Sequence, residues 1–203
     1  NGTLITGNTP SDTSIAIDET FVQNWMAHIT AQFGPGAVRY YNLDNEPALW
    51  NSTHRDVFPN GLGYDELRDK TYQYAAAIKA ADPAALTLGR VEYGWTGYFY
   101  SGLDAAQPGN RWENPIDRLA HGDKPLVQWY LEQMQAYQTA EGVRILDYLD
   151  LHYYPAAPGV TLILRAVRRL RHSACGQPAP SGMQPTPMKA GSANPVRPYD
   201  RCA

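Results

Sequence analysis

The spacing of apolar residues changes repeatedly along the chain between a helical and an extended pattern. Apolar side chains recur every three or four residues in three segments, each predicted to be an amphipathic helix: 19–33, 65–81 and 124–141. A short run of strand-forming residues follows each helix, and these runs are predicted to be strands: 38–44, 86–91 and 148–154. Regular alternation of helix and strand is typical of a parallel sheet with crossover helices. The predicted fold class is therefore α/β.

The residues at the ends of these segments support the predicted boundaries. Asp18 precedes the first helix as a candidate N-cap, and Gly34-Pro35-Gly36 ends that helix. Asp82-Pro83 ends the second helix, and Pro155 ends the third strand. Residues 95–103 are predicted to form a short helical or irregular excursion between the second strand and the third helix.

Chain length limits how much of a parallel α/β fold can be present. The chain has 203 residues, 43% of them hydrophobic, which is enough to bury one core. A complete eight-fold barrel of the TIM type typically needs about 250 residues. If the parallel strands belong to a barrel of this kind, the chain can hold only a partial (β/α)8 TIM-type barrel with parallel strands. The chain starts at Asn1 and contains neither a signal-peptide apolar region nor a transmembrane run; since a signal can be removed, this does not indicate a cytoplasmic location.

Charge and composition change abruptly near Val160. Residues 1–159 hold 19 acidic and 10 basic residues, a net charge of −9, whereas residues 160–203 hold 1 acidic and 7 basic residues, a net charge of +6. The second segment also contains both cysteines, Cys175 and Cys202, and six prolines. Polar, proline-rich stretches of this kind do not pack a core. We predict a partial barrel domain at 1–159 and an irregular, basic, proline-rich tail at 160–203.

Three interpretations of the tail remain open. It could be a basic arm for nucleic acid or a membrane surface, or a C-terminus closed by one disulfide. It could also be a non-native reading frame, which the abrupt change at one point favours. Resequencing codons 155–165 of the source DNA would decide between the last interpretation and the first two. The net charge of −9 on residues 1–159 argues against a nucleic-acid partner.

The first strand ends in a carboxylate. In the run Val38–Pro47, strand-forming residues give way to Asn42, Asp44 and Asn45, and Pro47 cannot donate a hydrogen bond to a neighbouring strand. Glu46 therefore lies just beyond the strand, where catalytic groups of parallel barrels sit. A polar loop after an ordinary strand is the alternative.

The other two predicted strands also end in polar or aromatic residues. Glu92 and Trp95 follow the second strand, and His152 and Tyr154 end the third. If the strands are parallel, these tips share one face with Glu46. The chain has 14 Tyr and 5 Trp but only 4 Phe, and amphipathic rings of this kind suit stacking on sugars, although buried tyrosines are their more common use.

Two carboxylates of this kind favour glycoside chemistry. Glycosidic cleavage normally uses one carboxylic acid to protonate the leaving oxygen and a second carboxylate across the sugar. Glu46 suits the acid/base role, with its pKa raised by a neighbouring carboxylate and a poorly solvated cleft. Asn45 could bind the sugar 2-hydroxyl. Glu92 is the candidate second carboxylate; the alternatives are that it pairs with Arg90 or Arg111, or that it orients Glu46.

Four segments in chain order resemble glycoside hydrolase family 44. The first carries the Asn45-Glu46-Pro47 tip in its family context, and the others contain the helix, the second strand tip and the third strand. These segments are 41–57, 71–82, 91–98 and 145–155. The resemblance covers roughly residues 1–159 and is specific, because several long motifs occur in order.

The resemblance implies a retaining endo-β-1,4-glucanase, with activity on cellulose-type glucans, xyloglucan or xylan, built on an α/β barrel with an attached β-sandwich. It implies that Glu46 is the general acid/base and that Asn45 binds substrate beside it. It further implies that five residues line the glucan cleft: Trp50, Glu92, Trp95, His152 and Tyr154. The expected partner is a β-glucan polysaccharide, without a cofactor, a metal, nucleic acid or a membrane, and the expected protein is a secreted monomer.

The chain departs from the family pattern in its tail. The family's nucleophile is a Glu on a later strand, and residues 160–203 contain no Glu. This implies that Glu92 is a cleft residue rather than the nucleophile, and that the chain resembles the middle of a catalytic domain. We expect the chain as written to carry the acid/base without the nucleophile. The alternative is a catalytically inactive fragment that at most binds glucan, through Trp50, Trp95 and Tyr154.

Overall fold

The computed structural model describes residues 7–106 and 113–154. The predicted tail at 160–203 and its boundary with the preceding domain lie outside the described residues. Within the described part of the chain, no helix is long and apolar enough to cross a membrane.

Three parallel strands form one sheet, and their spatial order is the order of the chain. The strands are β1 Tyr40–Asn42, β2 Leu86–Glu92 and β3 Tyr148–Leu151. Tyr41 lies opposite Thr87 across the first pair, and Gly89 lies opposite Leu149 across the second. The predicted α/β class and the parallel direction of the strands are thereby confirmed.

Helices precede each strand and also fill the connection between β2 and β3. They are α1 Glu19–Phe33, α2 Trp50–Thr53, α3 Tyr64–Ala81, α4 Gly94–Gly97, α5 Gly102–Ala106, α6 Ile116–Ala120 and α7 Leu126–Glu141. Single 3-10 turns occupy Pro10–Asp12 and Pro47–Leu49. The predicted N-cap of α1 is present, because the Asp18 carboxylate accepts the Phe21 N–H at 3.0 Å.

Two predicted strands and one predicted helix are shorter than their apolar patterns. β1 ends at Asn42 because Asp44 has a positive φ of 69°, which is incompatible with an extended ladder. β3 ends at Leu151, so that His152 and Tyr154 lie in the segment that follows it. The last long helix begins at Leu126, since Pro125 is its N-cap residue.

The main core lies where α3 and α7 pack together. Tyr64 and Tyr130 have no exposed surface, and Trp129 and Met134 are also buried there. The Tyr130 hydroxyl is satisfied by the Thr71 hydroxyl at 3.2 Å. Fully burying one large apolar side chain contributes about 1.5–3 kcal/mol, so this packing holds the two long helices together.

Helix α1 differs from its predicted burial. Met26 is buried against Tyr41 and Ile78, as the apolar stripe predicts. The other large apolar residues of the stripe are mostly exposed, with Phe33 at 76% and Trp25 at 53%. The helical period predicts which residues share a face. Helix α1 contacts α3 with only part of that face, so the remaining apolar residues of the face stay exposed.

A nearly buried ion pair ties the starts of β2 and β3 together, at the end of the sheet opposite Glu46. Asp147 Oδ2 accepts hydrogen bonds from Lys79 Nζ at 2.5 Å and from the Thr87 N–H at 2.8 Å and hydroxyl at 3.2 Å. Burial acts to raise the pKa of Asp147, but these donors and the Lys79 charge outweigh it and lower the pKa. The ionised carboxylate therefore stabilises the fold.

Replacing Asp147 with Asn is expected to lower the free energy of unfolding at pH 7 by about 3 kcal/mol, because the Lys79 ammonium loses its counter-charge. The folded-state pKa of Asp147 is lowered, so its contribution is present above the pKa of an unfolded Asp, about 3.9, and is lost as pH falls through the lower folded-state value. Urea unfolding followed by circular dichroism at several pH values measures both effects.

The control for this prediction is Asp69→Asn, which removes an exposed carboxylate paired with Arg68. It should change the free energy of unfolding by less than about 1 kcal/mol at pH 7. An Asp147→Asn effect as small as that of the control at pH 7 would contradict the prediction, as would a difference that does not shrink on acidification.

Candidate active site

Backbone hydrogen bonds beyond the sheet bring the ends of the three strands together. The Glu46 N–H donates to the Val91 carbonyl at 2.8 Å, and the His152 N–H donates to the Glu92 carbonyl at 3.0 Å. The carboxyl end of β2 therefore holds the residues that follow β1 on one side and those that follow β3 on the other. Glu46, His152 and Tyr154 meet at this end of the sheet.

The turn that carries Glu46 has a strained backbone. Asp44 and Glu46 have positive φ values of 69° and 48°. Residues other than glycine rarely adopt such values, which cost about 1–2 kcal/mol for each residue. The turn is held by Asp44 Oδ1, which accepts the Asn45 N–H at 2.7 Å, and by Trp50 Nε1, which donates to the Asn45 carbonyl at 3.0 Å. Strain maintained by surrounding contacts is a feature of functional sites.

Two donors hold one oxygen of the Glu46 carboxylate. His152 Nδ1 lies 2.6 Å from Glu46 Oε1, and the Tyr154 hydroxyl donates to the same oxygen at 2.7 Å. The Glu46 side chain is 16% exposed, so that it is shielded but still reachable from solvent. Asn45 is exposed beside it. A carboxyl group in this setting can exchange a proton with a molecule bound at the strand ends.

The pKa of Glu46 differs from the sequence-based expectation. Burial acts to raise it, but the hydrogen bonds from His152 and Tyr154 and the charge of His152 lower it below the usual value for a glutamate. The expected rise depended on a neighbouring carboxylate and on poor solvation. His152 and Tyr154 outweigh the effect of burial, and they favour the ionised form.

Glu92 does not face solvent, which differs from the prediction that it lines a cleft. Its side chain is 0% exposed, and Arg90, itself 1% exposed, donates from Nη2 to Glu92 Oε2. Glu92 Oε1 accepts the Tyr93 N–H at 2.9 Å. Burial raises the pKa of Glu92, and Arg90 opposes this. The structure therefore supports the alternative interpretation, in which Glu92 pairs with Arg90, and in this geometry its carboxylate cannot touch a polysaccharide.

The ion pair of Arg90 and Glu92 also fixes the start of the β2–β3 connection. Arg90 Nη2 donates to the Gly97 carbonyl at 2.8 Å. A Cβ on Gly97 would lie 2.1 Å from Glu92 Oε1, so only glycine fits. Helix α4, which carries Trp95, is therefore packed directly on the buried carboxylate.

The predicted aromatic residues separate into exposed and buried. Trp95 is 60% exposed, with its ring 4.8 Å from that of Phe99, and Tyr154 is exposed, with its ring 5.5 Å from that of Tyr93. Trp50 is 8% exposed and packs against Phe58. The prediction that Trp50 lines the cleft therefore differs from the structure, in which the 3-10 turn at Pro47–Leu49 directs Trp50 into the core.

Two tyrosines near the strand ends were not singled out from the sequence. The Tyr98 hydroxyl donates to the His152 carbonyl at 2.5 Å, and the Tyr93 ring packs against Tyr154. Both lie in segment 91–98, which is one of the four segments that resemble family 44. The resemblance therefore pointed to this segment, but it did not single out these two tyrosines. No group of three or more His, Cys, Asp or Glu side chains in the described ranges could hold a metal ion.

Comparison with known proteins gives consistent matches over this region. The chain is 37% identical over 149 residues to a β-mannanase/endoglucanase A of Caldicellulosiruptor saccharolyticus. The aligned region covers 73% of this chain and 10% of the relative. It is 36% identical over 151 residues to endoglucanase A of Paenibacillus lautus, which covers 73% of this chain and 20% of the relative. The chain thus spans a fifth or less of the length of these relatives.

Solved structures match as well. CelM2, a bifunctional glucanase-xylanase from a metagenome library, is 39% identical with a TM-score of 0.75, over 91% of this chain and 37% of that one. A Paenibacillus polymyxa xyloglucanase of family 44, solved with xyloglucan, is 33% identical with a TM-score of 0.57, over 67% of this chain and 26% of that one. Residues 1–157 match the sequence model of glycoside hydrolase family 44, and the chain belongs to that family.

Proposed function

We propose that this chain supplies the general acid/base of a retaining glycoside hydrolase that cleaves β-1,4 bonds in cellulose-type glucans or xyloglucan, and that Glu46 is this residue. The observation that carries the proposal is the carboxylate of Glu46 in the turn after β1, held by His152 and Tyr154 and still reachable from solvent. Membership of family 44 supports the reaction class. The substrate class follows the relatives, which are named endoglucanases and a xyloglucanase.

Glu46 would act twice in one catalytic cycle. It first gives its proton to the glycosidic oxygen, so that the leaving sugar departs as an alcohol while a second carboxylate attacks the anomeric carbon. It then takes a proton from the water that releases the sugar from that carboxylate. Asn45, exposed beside Glu46, is proposed to hydrogen-bond the sugar 2-hydroxyl, and the exposed ring of Trp95 is proposed to stack on a neighbouring sugar.

The decisive variant is Glu46→Gln in a chimera in which residues 7–154 replace the matching segment of CelM2. We expect kcat on xyloglucan or carboxymethyl-cellulose to fall by about 10²- to 10⁴-fold, because the leaving oxygen is no longer protonated. The loss should be smaller on an aryl cellobioside whose phenol leaves without protonation. Initial rates on both substrates, with circular dichroism to verify folding, make the measurement.

Glu66→Gln is the matched control, since Glu66 is an exposed glutamate on α3. It should leave both rates unchanged. A folded Glu46→Gln chimera that hydrolyses xyloglucan as fast as the control would overturn the assignment of Glu46.

The 203-residue chain alone is expected to show little or no turnover of carboxymethyl-cellulose or xyloglucan. Its partner carboxylate would have to face the sugar opposite Glu46, and Glu92, which couples to Glu46 by charge, is buried and paired with Arg90. Reducing-sugar release measured beside intact CelM2 tests this. Turnover by the chain comparable with that of CelM2 would contradict the expectation.

Glucan binding without hydrolysis is the second candidate function, and the burial of Glu92 favours it for the chain by itself. Affinity electrophoresis in gels containing xyloglucan is expected to show retardation of the chain. Trp95→Ala should weaken binding about five- to tenfold, which corresponds to roughly 1–1.4 kcal/mol.

Phe33→Ala is the control for glucan binding, because Phe33 is an aromatic residue even more exposed than Trp95 and lies at the C-terminal end of α1. It should leave the retardation unchanged. Equal effects of the two substitutions would exclude a specific sugar contact by Trp95.

A further inference from the structure

The two donors to Glu46 converge on a single atom. His152 Nδ1 and the Tyr154 hydroxyl lie 2.6 Å and 2.7 Å from Oε1, and they lie 3.2 Å from each other. Because two acceptors do not approach to 2.6 Å without a hydrogen between them, His152 Nδ1 carries a proton when Glu46 is ionised. The described residues provide no comparable donor to Oε2.

The lone pairs of Oε1 determine where a proton on Glu46 can sit. An ionised carboxylate oxygen accepts about two hydrogen bonds, and on Oε1 both places are taken by His152 and Tyr154. A proton on Oε1 would displace one of these donors, whereas a proton on Oε2 leaves both in place. The two donors therefore make the two carboxylate oxygens unequal.

Both donors are held by contacts of their own. The backbone N–H of His152 donates to the Glu92 carbonyl at 3.0 Å, and the backbone carbonyl of His152 accepts from the Tyr98 hydroxyl at 2.5 Å. The Tyr154 ring packs on Tyr93. Tyr153, between the two donors, is 76% exposed, which fits an extended segment in which alternate side chains point the same way.

We infer that His152 and Tyr154 are positioning residues that together hold Oε1 of Glu46 and leave Oε2 as the oxygen that exchanges a proton with the substrate. This assignment of roles rests on the proposed function, in which Glu46 is the acid/base. The clamp itself, defined as the pair of hydrogen bonds from His152 and Tyr154 to Oε1, is a property of the chain and is measurable without hydrolysis.

The titratable groups around Glu46 set the expected response. His152 and Tyr154 face it from the segment after β3, and Glu92, with its partner Arg90, couples to it from the end of β2. Removing a donor from Oε1 destabilises the ionised form, so the pKa of Glu46 should rise in the variants. The hydrogen bond to Glu46 also raises the pKa of Tyr154, as expected of a donor.

The test is an NMR titration of the 203-residue chain labelled with ¹³C at the glutamate carboxyl, with the Glu46 signal assigned by its loss in Glu46→Gln. Tyr154→Phe removes one oxygen and should move the Glu46 midpoint to higher pH. His152→Ala should do the same. His152→Asn places an amide N–H close to the position of Nδ1 and should restore part of the shift.

Tyr153→Phe is the matched control and should leave the Glu46 midpoint unchanged, since its hydroxyl is not one of the two donors to Oε1. The ¹⁵N shifts of His152 at neutral pH should show a protonated Nδ1. Heteronuclear spectra of each variant verify folding, and Tyr154→Phe and His152→Asn carry the test if His152→Ala fails to fold.

Unchanged Glu46 midpoints in the folded variants, or an unprotonated Nδ1 beside an ionised Glu46, would overturn the clamp. Neither outcome depends on catalysis. If the Glu46 midpoints shift as expected but the Glu46→Gln chimera is active, the clamp stands and the proposed acid/base role is rejected. Failure of the clamp and failure of the proposed function are therefore distinguishable.

Discussion

The carboxyl end of β2 is the constraint on which the rest of the site depends. Its last two carbonyls accept the Glu46 N–H from one side and the His152 N–H from the other, so the residues after β1 and β3 are positioned by the same strand. The end of β2 is itself held by the buried pair of Arg90 and Glu92. Breaking such a pair leaves an uncompensated charge inside the protein, so this strand end resists displacement more than a loop would.

Two carboxylates at this end of the sheet lie in opposite environments. Glu92 is fully buried against a guanidinium, where it can only support the strand end and helix α4. Glu46 is partly exposed and accepts its hydrogen bonds on one oxygen. Environments that separate neighbouring carboxyl groups in this way assign them different roles. The same physical difference makes Glu92 structural and agrees with the reactive role proposed for Glu46.

Periodicity predicted the long helices and the parallel direction of the strands because both depend on local spacing of apolar residues. It also predicted that polar residues follow each strand. It could not predict burial, because a carboxylate at the end of a strand has the same local pattern whether its side chain turns inward or outward. Glu92 turned inward to Arg90 at a point where the pairing of β2 with β3 is irregular, and such an irregularity has no periodic signature in the sequence. Trp50 turned into the core because a 3-10 turn, which has no periodic signature, precedes it.

The proposed cycle needs Glu46 protonated in its first half and ionised in its second. The two donors from the segment after β3 favour the ionised form, and therefore favour the second half, in which Glu46 takes a proton from water. The first half needs an opposing influence, and a second carboxylate across the sugar supplies one, because its negative charge raises the pKa of Glu46 until that charge is consumed by bond formation. In this scheme the donors and the second carboxylate act in opposite directions on one group, and the reaction itself switches between them. A chain that holds the donors without that second charge keeps Glu46 in the form suited to the second half alone.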